Sequence, residues 1–506
     1  MATETIQLDP GSTVRTGIEA LDDILGGGLA PNRVYLIEGD PGSGKTTLAL
    51  QFLMEGARRG EKVLYVTLSE TKIELAGVAA SHGWCLDNLD IIELTATSEE
   101  LEPENQYTMF QPSEVELNET TKAILVEVER LNPTRIVIDS LSEVRLLAQN
   151  ALRYRRQILA LKHFFIGRQC TVLLLDDRTS EVSDLQLRSI AHGVITLEQL
   201  SPEYGAERRR LRVMKFRGKK YRGGYHDFLI DRGGLVVFPR LIAAEHPQRH
   251  TRGLLESGIA EFDALVGGGF DLGTSVLLLG PAGVGKSSLA IQYARAAASR
   301  GDRAVIFTFD ENLQTMLLRM SSLGLDISGE IESGSIAVQQ VDPAELSPGQ
   351  FADIVRRAAE GGEGRPGAKI LIIDSLNGYL NAMPEERFLI IQLHELLSYL
   401  GHKGVVTFLI VAQHGMLGSS MQTPVDTSYL ADSVVLFRYF EAMGEVRQAI
   451  SVVKKRSGRH ERTIREFRMD DAGIHVGAPL RDFHGVLSGI PTFLGDGNPP
   501  RKADDD

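Results

Sequence analysis

YLIEGDPGSGKTTLALQFLMEGARRG, residues 35–60, reads as a short apolar strand, a glycine-rich turn and a helix in immediate succession. Its centre, GDPGSGKT (39–46), fits the pattern G-x-x-x-x-G-K-[ST]. The strand before and the helix after separate a phosphate-binding loop from an ordinary glycine turn. Glycines let successive backbone N–H groups turn inward around a phosphate, and the helix N-terminus adds partial positive charge. VLLLGPAGVGKSSLAIQYARAAASRG (276–301) repeats the whole arrangement, with Gly280 standing where Gly39 stands. The two loops comprise Gly39, Asp40, Pro41, Gly42, Ser43, Gly44, Lys45, Thr46 and Thr47, and Gly280, Pro281, Ala282, Gly283, Val284, Gly285, Lys286, Ser287 and Ser288. Lys45 and Lys286 are expected to reach the β- and γ-phosphates of a nucleotide, and Thr46 and Ser287 to offer a hydroxyl to Mg²⁺.

The repetition extends outward from the loops. TGIEALDDILGGGL (16–29) is echoed by SGIAEFDALVGGGF (257–270), and VLYVTLSE (63–70) by AVIFTFDE (304–311). All three pairs share one register, and RIVIDSL (135–141) and KILIIDSL (369–376) follow with a small drift. The period is domain-sized, far longer than a solenoid repeat. It predicts two copies of one domain, 1–243 and 244–490, with a disordered tail over 491–506. Short, nearly continuous apolar strands alternating with helices predict an α/β fold, a parallel sheet covered on both faces. The acidic stretch 97–120 reads as a surface loop.

Composition bounds the function. The chain has 506 residues and a net charge of −13, which argues against a nucleic-acid coat protein. Its two cysteines, Cys85 and Cys170, fit no metal spacing or disulfide framework and suit a reduced cytosol. The polar N-terminus and the lack of a long apolar run predict a soluble, cytoplasmic protein with no membrane span.

Asp139 and Asp374 end apolar strands and are candidates to hold a Mg²⁺-bound water; capping the following helix is the alternative role. Glu70, and Asp310 with Glu311, end the strand after the loop helix, where a carboxylate can orient an attacking water or hydroxyl. Both halves close on basic runs sharing a K-x-R core, Lys215/Arg217 and Lys454/Arg456. Solvated strand faces, a nucleic-acid groove or fingers reaching a neighbouring subunit's nucleotide all fit such runs; recurrence beside two loops favours fingers.

The order of GGG loop, phosphate loop, acidic strand end, IDSL strand and K-x-R hairpin resembles the KaiC family over nearly the whole chain. ADSVVLFRYFEAMGEVRQAISVVKKRSGRHERTIREF (431–467) and FHGVLSG (483–489) are similar to its second domain. The resemblance implies two tandem RecA-like P-loop NTPase domains in a double-ring homohexamer. ATP would sit between subunits, with hydrolysis in the first ring and autophosphorylation in the second. Lys215, Arg217, Lys454 and Arg456 become contacts to the neighbour's ATP. The sequence departs from the family in three places. The family's acidic pair is Glu-Glu, with the first member its usual base; that place holds Ser69, followed by Glu70, in the first half and Asp310, followed by Glu311, in the second. Its adjacent Ser–Thr acceptor pair is Ser428–Tyr429, with Thr427 alongside. The chain also stops soon after FHGVLSG, so a KaiA-type partner is not expected, whereas a KaiB-like partner stays open. Two other functions compete: a DNA-stimulated ATPase, which acidic composition disfavours, and a regulatory scaffold that binds ATP with little turnover, which Ser69 keeps open.

Overall fold

The structure is a computed structural model that describes residues 12–94, 112–178, 184–202, 205–247, 252–362, 364–381, 389–413, 429–488 and 492–494. Two compact units divide the chain, residues 1–240 and 241–506.

In the first unit nine strands form one sheet: β1 (Val34–Gly39), β2 (Val63–Thr67), β3 (Asp90–Glu93), β4 (Arg135–Asp139), β5 (Thr171–Asp177), β6 (Gly193–Leu200), β7 (Arg208–Phe216), β8 (Tyr225–Asp231) and β9 (Gly234–Phe238). Their order is β3-β2-β4-β5-β1-β6-β7-β8-β9. Pairing is parallel through β6 and antiparallel from β6 to β9. All six residues of β1 and all five of β4 are buried, as strands covered by helices on both faces require. Consecutive parallel strands need crossovers, and these carry the chain back so that every parallel strand ends at the same edge.

The second unit opens with a short antiparallel pair, β10 (Leu254–Leu255) and β11 (Phe270–Asp271). Its nine-stranded sheet comprises β12 (Ser275–Gly280), β13 (Ala304–Thr308), β14 (Ile336–Gln340), β15 (Ile370–Asp374), β16 (Val406–Ala412), β17 (Ser433–Ala442), β18 (Glu445–Lys455), β19 (Ile464–Asp470) and β20 (Gly473–Pro479). Its order, β14-β13-β15-β16-β12-β17-β18-β19-β20, repeats the first sheet strand for strand. The predicted α/β fold, two RecA-like domains with parallel-core sheets flanked by helices, is what these sheets show. The GGG loops match as well. Gly28 (φ 115°) and Gly269 (φ 132°) lie so close to the carbonyls of Val14 and Leu255 that a Cβ would sit 2.6 Å from the oxygen in each case.

Two stretches differ from the sequence reading. Of the acidic segment read as loop, Pro112 onward is helix, Pro112–Leu131. Leu117, Ile124 and Val128 are buried at helical spacing, and this apolar stripe outweighs the acidic composition. At the other end, Thr492–Phe493, within the expected disordered tail, pair antiparallel with Phe483–His484. Residues 495–506 lie outside the described residues. No described helix is long and apolar enough to cross a membrane.

Candidate nucleotide sites

Each phosphate loop leaves the end of the strand at the sheet's centre. Gly42 (φ 79°) and Gly44 (φ 96°) take the left-handed backbone that turns the first loop into helix Lys45–Arg58; Gly283 (φ 77°) and Gly285 (φ 100°) do the same before Lys286–Ser299. Lys45 Nζ donates to the carbonyls of Gly39 and Asp40 at 2.9 Å each, folding its stem back over the loop. Lys286 Nζ makes the same bonds to Gly280 and Pro281, at 2.9 and 2.6 Å.

The strand order then sets what faces each loop. One strand, β5, separates β1 from β4, so Asp139 comes to the Thr46 side of the loop. Thr46 Oγ1 donates to Asp139 Oδ2 at 3.1 Å, and the Tyr65 hydroxyl donates to the same oxygen. A hydroxyl and a buried carboxylate meeting beside a phosphate loop is the donor set Mg²⁺ takes alongside nucleotide phosphates. Burial pushes the Asp139 carboxyl up, against the hydrogen bonds from Tyr65 and Thr46. Glu70 follows β2 in a turn fixed by Thr67, whose Oγ1 donates to the Glu70 carbonyl and accepts its N–H. Glu70 Oε2 is buried with no hydrogen-bond partner among the described residues. Burial, then the charge of Asp139, raise this carboxyl above its ordinary range. Ser69, at the position preceding it, is exposed.

The second site has the same frame and different fittings. Burial pushes the Asp374 carboxyl up, opposed chiefly by a hydrogen bond with Ser287. Burial lowers Lys286 to about 8, partly countered by Asp374. Asp310 Oδ2 accepts from Ser375 Oγ at 2.5 Å. Glu311 is instead gripped by Arg319, through Nε at 3.0 Å and Nη2 at 2.7 Å. A cleft of about 330 Å³ runs between the loop, these carboxylates and Met469.

Three participants were absent from the sequence reading. Asp177, ending β5, forms a 2.7 Å ion pair with Lys45. Register places Asp177 beside Gly39, whereas Ala412 stands beside Gly280. Its position at the end of an apolar strand, LLLDD, was a usable signal. Tyr65 and Arg319 carried none, since each meets its partner only through strand or helix packing.

The K-x-R residues sit elsewhere. Lys215 pairs in register with Val194, level with Leu36 and not with Gly39; Lys454 pairs with Val434, level with Leu277. Lys215 Nζ bonds the carbonyls of Arg188, Ser189 and Ala191, and Arg217 bonds that of Ser189. Lys454 bonds the Ala431 carbonyl, and Arg456 pairs with Asp432 and bonds the Tyr429 carbonyl. None is brought to its own chain's phosphate loop. Thr427 and Ser428 lie outside the described residues.

Comparison with known proteins agrees with this geometry. The family described as "ATPase: KaiC" matches residues 14–242 and again 255–481. The chain belongs to the KaiC ATPase family. Among KaiC relatives, circadian clock protein KaiC3 of Synechocystis sp. is 26% identical over 95% of this chain and 94% of its own length. The circadian clock oscillator protein KaiC of Picosynechococcus sp. is 27% identical over 95% of this chain and 92% of its own. That of Synechococcus elongatus is 26% identical with the same coverage. Membership in the KaiC family makes both domains ATPase domains, and ATP the expected ligand of both loops.

Proposed function

We propose that both domains bind ATP with Mg²⁺, that the first hydrolyses it, and that the second also transfers phosphate to its own layer of an assembled ring. The observation that carries the hydrolytic reading is Glu70 Oε2, buried and unpartnered beside the Thr46–Asp139 pair. Mg²⁺ held at Thr46 and Asp139, and at Ser287 and Asp374, would neutralise charge on the β- and γ-phosphates. Lys45 binds the phosphates. Glu70 accepts a hydrogen bond from a water and orients it in line with the γ-phosphorus. As the water oxygen bonds to phosphorus, the bond from phosphorus to the bridging oxygen breaks, its electron pair stays on that oxygen, which leaves as part of ADP, and Glu70 takes the water's proton. Its raised pKa suits a base. In the second site Asp310 or Glu311 would serve a water or a protein hydroxyl in the same way, with Ser428, or Thr427 beside it, as acceptor.

Assembly follows from the K-x-R residues. Lys215 and Lys454 are level with the middle of their own central strands, and neither they nor Arg217 and Arg456 are brought to their own chain's phosphate loop, which supports a role towards a neighbour's ATP in a homohexamer. The test combines three readouts on the full chain with Mg²⁺·ATP: phosphate release, light scattering and phosphopeptide mapping. Phosphate release in Glu70→Gln reduced to the second site's share, a six-fold mass and a phosphate in peptide 420–432 are expected. Unchanged release in Glu70→Gln removes the assigned base. A monomer in saturating ATP removes the ring, and an unmodified peptide while ATP is consumed removes the kinase.

A further inference from the structure

We infer that Arg319 is a positioning residue of the second nucleotide site: it pins Glu311 away from the reaction and leaves Asp310 as the carboxylate facing the γ-phosphate. This rests on the proposed ATPase reading, in which the resemblance already puts Asp310 at the family's base position, and adds what holds Glu311 out of that role.

The helices after the acidic strand ends correspond residue for residue, Lys72–Ser81 with Leu313–Ser322. Arg319 therefore stands where the first domain has Val78, Glu311 where it has Glu70, and Asp310 where it has Ser69. Arg319 and Glu311 form the planar, two-bond fork that makes arginine–carboxylate pairs geometrically specific. The third arm, Nη1, donates to Ser288 Oγ at 3.1 Å, tying the pair to the helix that carries the phosphate loop. Both Glu311 oxygens are engaged, so neither is directed at a water. Asp310 accepts one hydrogen bond, from Ser375, and is otherwise exposed to the cleft. In the first domain the pattern inverts. Val78 cannot form an ion pair, Ser69 offers no carboxylate, and Glu70 keeps an unpartnered oxygen. Among the described residues each pair thus keeps one carboxylate outside an ion pair, the second member in the first site and the first member, held only by Ser375, in the second.

The charge count gives Arg319 a second effect. Asp310, Glu311 and Asp374 line one cleft with Lys286. Without Arg319, an unpaired Glu311 would repel the polyanionic nucleotide. Removing the carboxylate should then cure the loss of the arginine.

The experiment uses the full chain carrying Lys45→Ala, so that turnover reports the second site, with Lys45→Ala/Lys286→Ala as blank. Arg319→Leu should raise the KM for ATP about tenfold or more, and adding Glu311→Gln should bring it back to within about threefold. Arg319→Lys, which can pair with one oxygen, should fall between. Glu311→Gln alone should cost far less turnover than Asp310→Asn. If Glu311→Gln fails to relieve Arg319→Leu, or abolishes turnover as Asp310→Asn does, the inference is overturned. If Asp310→Asn turns over normally, the assigned base of the second site fails, while the KM comparison of the arginine variants still reads the pinning of Glu311.

Discussion

Replacing Asp177 with alanine should tighten ATP binding in the first domain. The Lys45–Asp177 pair is 2.7 Å long, with side chains 8% and 26% exposed. A nucleotide must draw Lys45 from that carboxylate and bring phosphate charge beside Asp139 and Glu70. Gross Coulomb energy at this distance is about 6 kcal/mol at an effective dielectric of 20, but ion pairs with solvent contact retain only a fraction of it. A net competition of about 1–2 kcal/mol is the reasonable scale between exposed and buried pairs, which is about 5- to 30-fold in affinity. Lys45 keeps its bonds to Gly39 and Asp40 in the variant, so its placement survives. The second domain is a built-in control, with Ala412 at the matching register. Calorimetric titration with a slowly hydrolysed ATP analogue, in a Lys286→Ala background, isolates the first site. An affinity equal to or weaker than that of the parent refutes the competition argument. Ala412→Asp, read in a Lys45→Ala background, should weaken the second site by a similar factor.

Further outcomes follow from groups away from the loops. Burial pushes the His226 imidazole down to about 4; its Nδ1 accepts the Arg240 N–H and its Nε2 pairs with the Arg222 carbonyl. Its folded pKa lies below the unfolded value, so its contribution is full above about pH 6.5 and is lost as pH falls towards 4, up to about 3 kcal/mol. Urea melts at pH 7.5 and 5 should show a first-domain slope that His226→Asn reduces; equal slopes contradict the assignment. Arg135, only 1% exposed, grips Glu61 at 2.7 and 2.8 Å and donates to the carbonyls of Arg15 and Phe52. Arg135→Leu should cost the first domain about 3–5 kcal/mol in denaturant unfolding, and a loss below about 1 kcal/mol would place the pair among weak surface bridges. A mild alkylating reagent should modify exposed Cys85 and spare Cys170, whose thiol burial pushes up to about 11; equal labelling in peptide mass spectra would contradict that burial.

The frame was legible because its signals are local. A phosphate loop lies within eight consecutive residues, and the duplication needed only self-comparison of the chain. Strand ends marked Glu70, Asp139, Asp310 and Asp374 because apolar runs stop there. A residue whose role depends on distant neighbours leaves no such local mark. Asp177 reaches Lys45 because β5 lies against β1, and Tyr65 reaches Asp139 because β2 lies against β4. Arg319 reaches Glu311 across eight residues, through a strand end, a turn and a helix that only the fold lines up. The start of the helix Pro112–Leu131 was hidden by the acidic composition of 97–120, because Leu117, Ile124 and Val128 declare themselves only as a spaced apolar stripe.

On the proposed function, both phosphate loops bind ATP and both sites turn it over. Mg²⁺-dependent phosphate release from four full-length proteins, the parent, Lys45→Ala, Lys286→Ala and the double variant, separates the two sites. Each single variant should retain part of the parent's release and the double variant none. Release from the double variant equal to the parent's, or a parent no faster than a protein-free blank, would show that the two loops do not carry the turnover.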